Sequence, residues 1–245
     1  MRMGNGKVLA SRSRFFLTLS VLLLLTLLAG FAPTLYLRTA FDAIDMPLYL
    51  HVHGAVISTW FVVFVLQNAL IAGQRPDLHR RLGMAAAFIA IGIVFAGPMA
   101  TFGFVPRLPG MGLDVEMDII FVSWVIIGNL SSILAFAVFV GCGLYYRSKS
   151  DVHKRLMLLA SVVIIGPALA RIAFWPMFSW TTEIPFVVTG TMIYVMALPI
   201  YDAVRNSGHL PRVTIIGTTF AAWMTLSPYL LAQVPLLQNL VKSLA

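Results

Sequence analysis

Residues 15–37 read FFLTLSVLLLLTLLAGFAPTLYL, a run of apolar and neutral side chains without one charge. A helix needs about 20 mainly apolar residues to cross a hydrocarbon layer of about 30 Å, so this run is long enough by itself. Working outward, six more stretches have the same character: 48–73, 82–104, 117–143, 155–178, 183–203 and 212–233. Each is bounded by charges, Pro or Gly. Helices are the sensible reading, because an open strand edge cannot be satisfied in lipid. The expected fold is an all-α integral membrane protein, a single domain of seven transmembrane helices over residues 1–245.

Composition agrees with that reading. The 245 residues are 60% apolar and 11% charged, with a mean hydropathy of +0.91. An ordinary soluble domain carries about 25% charged residues. A soluble enzyme, a nucleic-acid-binding module and a disordered segment are therefore excluded. The single cysteine, Cys142, excludes an internal disulfide framework and any cysteine-based zinc or iron–sulfur cluster. No P-loop, Rossmann glycine pattern, nucleophile elbow or HExxH zinc motif is present.

The net charge of +8 gains its meaning from where the charges sit. Arg2, Lys7, Arg12 and Arg14 precede span 1. Arg75, Arg80 and Arg81 lie between spans 2 and 3. Arg147, Lys149, Lys154 and Arg155 lie between spans 4 and 5, and Arg205 and Arg212 between spans 6 and 7. The opposite ends hold only Arg38, Arg107 and Lys242, beside Asp42, Asp45, Asp114, Glu116, Asp118 and Glu183. Lys/Arg excess marks the cytoplasmic side, which puts the N terminus in the cytoplasm and the C terminus in the periplasm. Short loops without lipidation or organelle signals favour a bacterial inner membrane. Span 1 is longer than a signal-peptide apolar core and reads as a membrane helix, with a cleaved leader as the alternative.

Two cytoplasmic turns read alike: Arg75-Pro-Asp-Leu-His-Arg-Arg-Leu82 and Lys149-Ser-Asp-Val-His-Lys-Arg-Leu156, 74 positions apart. At the same offset Gly54 meets Gly128. The region about 48–104 and the region about 117–178 thus read as two copies of one helical hairpin in the same orientation, the kind of parallel repeat that builds a membrane core. Asp77 and Asp151 read as N-caps, and the adjoining basic residues as phosphate-level anchors. On that structural reading His79 and His153 are interfacial residues without a task. On the functional reading they face each other as axial ligands of a b-type haem, with nearby arginines offsetting its propionates.

The run His51-Val-His-Gly54, then Trp60, Gln67, Leu78-His-Arg-Arg-Leu-Gly83 and His153-Lys-Arg-Leu-Met157, resembles a group of uncharacterised bacterial membrane proteins that combine HxHG, LHRRLG and HKRLM motifs. The likeness covers spans 2 to 5, about half the chain. That group is in turn distantly similar to four-helix b-type cytochromes of the b561 kind, which hold haem between histidines of neighbouring helices. The resemblance implies a haem or redox role. The paired ligands of those cytochromes lie well inside their helices, whereas His79 and His153 open theirs, and Val125 and Ile127 stand in span 4 where span 2 has His51 and His53.

A second polar group falls in the outer half of the bilayer. His53 shares a helical face with Ile57, Trp60, Phe64 and Gln67, which suits a helix facing the bundle interior. His51 lies about 200° away around a regular helix, so the two histidines serve one metal only if the span starts unwound. Arg171 stands 16 positions past Arg155 in span 5, about 24 Å along a helix, and Pro167 one turn earlier is placed to kink it. Inserting a central Arg costs at least about 2.5 kcal/mol, and such residues usually have partners. Asp118, Glu116, Glu183 and Asn129 are the candidates. The alternative is that Arg171 snorkels outward past Trp175 to the headgroups. His53 with Arg171 reads as a site for a haem or metal beside a propionate, a quinone carbonyl or an anionic substrate.

Fainter signals complete the reading. Met46, Met111 and Met117 with His51 and His53 could bind copper, although methionines in a bundle are usually packing. Tyr36, Tyr49, Tyr145, Tyr146, Trp180 and Tyr229 read as interfacial belts. Asp202 and Arg205 read as an i,i+3 pair, and His209 as a loop residue without a partner. Three functions remain open. The favoured one is a b-type haem-binding redox component, with a quinone or membrane-complex partner. The others are a small-molecule transporter built on Arg171 and its Gly97-Pro98 and Gly166-Pro167 interruptions, and an assembly subunit of a larger complex.

Overall fold

The computed structural model describes residues 3–41 and 45–244, with side chains from residue 14 onward. Arg2 and Asp42 lie outside the described residues, as do the side chains of Lys7 and Arg12. The described chain is helical throughout: α1 (Met3–Phe31), α2 (Leu48–Ala72), α3 (Pro76–Phe102), α4 (Ile119–Tyr145), α5 (Ser150–Val163), α6 (Gly166–Ala173), α7 (Glu183–Arg205), α8 (Arg212–Leu231) and α9 (Pro235–Lys242). Six stretches are long and apolar enough to span a membrane, α5 and α6 counting as one. A seventh span exists if α8 and α9, bent by 81° at Val234-Pro235, are taken together. The result is a multi-pass, membrane-type helical bundle.

Its outside is as informative as its inside. Met84, Phe88, Ile91, Phe95, Met99 and Phe102 recur every three or four residues along one face of α3, and all are exposed. Phe88 and Phe95 are 75% and 72% exposed, a face that only a lipid or protein neighbour would cover. The buried side belongs above all to the broken span α5/α6, where Leu158, Leu159, Ala160, Ser161, Val162 and Ile165 are fully enclosed. This span packs against α1, α4, α7 and α8. It also meets α2, where the Trp60 indole donates to the Ser161 hydroxyl at 3.2 Å and lies edge-on to Phe136.

Small residues set the closest approaches, as expected where apolar lipid leaves no hydrophobic drive between helices. A Cβ on Gly30 of α1 would come within 2.8 Å of the Ala168 backbone. The corresponding contact of Gly97 in α3 is with Ile133, and that of Gly217 in α8 is with Leu159, both at 2.6 Å. Span 1 is further tied in by Thr26 to Tyr194 at 2.6 Å and by Phe15 stacked on Tyr201 at 3.9 Å.

The helix ends differ from the sequence expectation in physically simple ways. α3 and α5 begin at Pro76 and Ser150, before the apolar stretches at 82 and 155, because the charged turn residues form the first helical turns. Asp77 and Asp151 are therefore the second residues of their helices and make no capping bond; Arg75 and Lys149 occupy the cap positions. The carboxylates instead favour the positive helix ends and pair with basic neighbours, Asp77 with Arg75 at 3.6 Å and Asp151 with Lys154. Pro167 does more than kink span 5. It occupies the first turn of a new helix, and the break at Ile164–Ile165 separates α5 from α6. α9 has no counterpart in the seven-span reading. It folds across the end of the bundle, burying Val241 among Val105, Leu108, Val122 and Ile126.

Candidate functional site

The end of the bundle carrying the turns before α3, α5 and α8 is the basic end. His79 is the fourth residue of α3 and His153 the fourth residue of α5. Their ring centres lie 6.3 Å apart with the planes at 87°. The His153 Nδ1 lies 2.8 Å from the Gly143 carbonyl of α4. A proton on Nδ1 donated to that carbonyl leaves the Nε2 lone pair free, the arrangement usual for a ligating histidine. The His79 Nδ1 is buried without a close hydrogen bond, and the Gln67 carbonyl is its polar neighbour.

The donor set limits what this pair can hold. No cluster of three or more His, Cys, Asp or Glu side chains with metal-binding geometry occurs among the described residues. A structural zinc takes four protein ligands and a catalytic zinc three. A haem brings its own equatorial donors and asks the protein only for axial ones. His79 and His153, with ring centres 6.3 Å apart, are the two residues here that would hold such a group. Exposed Arg80 and Arg81 adjoin His79.

Beside the histidines lies a network that the sequence reading paired differently. Asp202 of α7 is fully buried and does not serve Arg205 as its main counter-charge; both its oxygens meet Arg155 of α5, at 2.9 Å from Nε and 2.6 Å from Nη2. Thr214 of α8 donates to the same carboxylate at 2.5 Å, and Arg155 Nη1 donates to the Asp151 carbonyl at 2.6 Å. Three spans are thus locked at the basic end. A cleft of about 380 Å³ opens next to this network, lined by Asp151, Arg155, Asn206 and Arg212.

At the opposite end Arg171 of α6 does not reach outward. Its Nη1 turns back to the Pro167 carbonyl at 2.9 Å, its Nε donates to Thr34 at 3.2 Å, and its guanidinium lies 4.1 Å over the Phe31 ring. The carboxylates expected to pair with it are engaged elsewhere or sit at helix starts. Glu116 meets Lys242 at 3.8 Å, Asp118 accepts the Asp114 amide at 2.9 Å, and Glu183 opens α7. Asn129 is half-buried in α4. Thr34, which the sequence reading passed over, sits in a wide π-type turn, Ala32–Tyr36, that carries span 1 past Pro33.

His53 faces inward, as its stripe predicts: Trp60 and Phe64 are buried and His53 lines a narrow crevice with Leu27, Phe31, Leu35, Gly54, Ile57 and Ser58. Its Nδ1 is buried without a hydrogen bond. α2 is helical from Leu48, so His51 and His53 point about 200° apart. Gln67, at the other end of the stripe, packs its amide nitrogen against Gly83, with its buried carbonyl oxygen unbonded. No family model, curated protein or solved structure matches this chain.

Proposed function

We propose that the chain is a b-type haem-binding component of a membrane electron-transfer system, with His79 and His153 as the axial ligands. The observation that carries this reading is the 6.3 Å spacing of two imidazoles at the same register of two helices, one of them oriented by the Gly143 carbonyl. The haem would supply a one-electron couple, tuned by its axial ligands and burial. Arg80, Arg81 and Lys149 supply positive charge for its propionates, and α4 holds His153 in register.

Orientation belongs to the same proposal. Ten described basic residues, from Arg14 to Arg212, belong to the end that carries the histidine pair, and their excess supports a cytoplasmic position for it in a bacterial inner membrane. The electron partner is then a quinone or a neighbouring membrane complex, and the matching turns before α3 and α5 descend from a duplicated hairpin. Titration of detergent-purified protein with haemin tests the ligands. One equivalent bound in the wild type and none in His153→Ala is expected; equal uptake by both would refute the site.

A further inference from the structure

α9 lies almost at right angles to the span that it follows. α8 has 20 residues, about 30 Å of helix, and so crosses a hydrocarbon layer by itself. α9 leaves it at 81°, which puts its axis close to the membrane plane. The bend is built into the chain. Pro235 has no N–H to continue the hydrogen bonding of α8, and the Gln238 side chain donates to the Ala232 carbonyl at 2.9 Å, where α8 ends.

The sequence of α9 divides around its axis. At about 100° per residue, Leu236, Leu240, Leu237 and Val241 follow one another within an arc of about 140°. Gln238, Lys242 and Asn239 occupy the opposite side. Only one edge of the apolar arc meets protein. Val241 is buried against Val105, Leu108, Val122 and Ile126, and Leu237 is half-buried. Leu236 and Leu240, at the other edge, are 70% and 57% exposed.

Depth indicates what covers them. Val122 and Ile126 are the fourth and eighth residues of α4, hence about 5–10 Å inside its start. An interfacial amphipathic helix beds its apolar face about 5–10 Å into the boundary of headgroups and acyl chains. Exposed Leu230, Leu231 and Val234 lead from the outer side of α8 toward the same level. A second protein chain would need more: two leucines offer far less than the roughly 800 Å² per partner of a stable interface.

We propose that α9 is a membrane-surface helix, with Leu236 and Leu240 inserted among the acyl chains just below the headgroups. Its polar side meets headgroups and water, and Lys242, 3.8 Å from Glu116, ties it to the turn before α4. α8 is then a complete span, and α9 adds nothing to its length.

The test places the environment-sensitive fluorophore NBD on Leu240→Cys or Asn239→Cys, each in the full-length chain with Cys142→Ser. The proteins go into nanodiscs of phosphatidylglycerol and phosphatidylcholine, where both membrane faces are open to solvent. Iodide reports water, and lipids carrying a nitroxide near the headgroup or at the chain end report depth. The Leu240 label should be quenched several-fold more by the shallow nitroxide than by iodide or the deep one. The Asn239 label should favour iodide. Iodide quenching of both labels alike would put α9 in water, and strongest quenching by the deep nitroxide would make it half of a span. Either result overturns the proposal. Should Leu240→Cys fail to fold, Leu236→Cys on the same arc decides. Neither label lies near the histidine pair, so the outcome is independent of haem.

Discussion

Arg155 and Asp202, 47 residues apart, meet through two parallel hydrogen bonds in a buried site at the basic end of the bundle. Thr214 adds a third span to the same carboxylate. A charge pair removed from water gains little net stability, but removing one partner leaves the other buried and uncompensated. Asp202→Ala should therefore cost about 3–5 kcal/mol, and the double variant Arg155→Met/Asp202→Leu much less. Thermal unfolding in detergent, followed by helical circular dichroism, checks both. A double variant as damaged as Asp202→Ala would contradict the account.

The approach of α1 to α6 depends on Gly30. A Cβ there meets the Ala168 backbone, which cannot move aside as a side-chain tip could. Gly30→Val should destabilise by about 1–3 kcal/mol or more, as overpacking does. Gly141 of α4 has open space around its Cβ position. Gly141→Ala should be neutral or gain up to about 1 kcal/mol from helix propensity. Comparing the two unfolding midpoints separates close packing from a general intolerance of glycine replacement.

The Trp60 indole is buried and donates to the Ser161 hydroxyl, which donates in turn to the Met157 carbonyl. Ser161→Ala would leave a buried N–H without an acceptor, a loss of about 1–3 kcal/mol. Trp60→Phe/Ser161→Ala should recover part of it, because no orphan donor remains. A coupling energy near zero in that double-mutant cycle would show that the bond contributes nothing.

Orientation can be read with thiol chemistry, since the lone cysteine, Cys142, is replaced without loss of a disulfide. In a Cys142→Ser background, Asp114→Cys should react with a membrane-impermeant maleimide in intact cells, and Asp77→Cys only after permeabilisation. The reverse labelling pattern would invert the topology.

Most of the fold was legible because hydropathy reports what lipid demands. The helices of spans 2, 4 and 6 lie within a few residues of their apolar stretches. What hydropathy misses is polar or long-range. The first turns of α3 and α5 are charged, and α9 is too short and amphipathic to register as a span. The break in span 5 needs its surroundings: Pro167 cannot donate to the Val163 carbonyl, and only burial on all sides lets a helix stop there. Of the candidate site, the repeated turn motif brought His79 and His153 together. The partners of Asp202 and Arg171 come from other spans, and a nearby charge in sequence was a poor guide to them.

The visible spectrum of the protein purified from cells with ample haem supply bears most directly on the central claim. The account predicts a Soret band and, on dithionite reduction, a sharp α band, both lost in His79→Ala and in His153→Ala while His209→Ala keeps them. A colourless wild-type protein, or a haem spectrum unchanged by both substitutions, would contradict it.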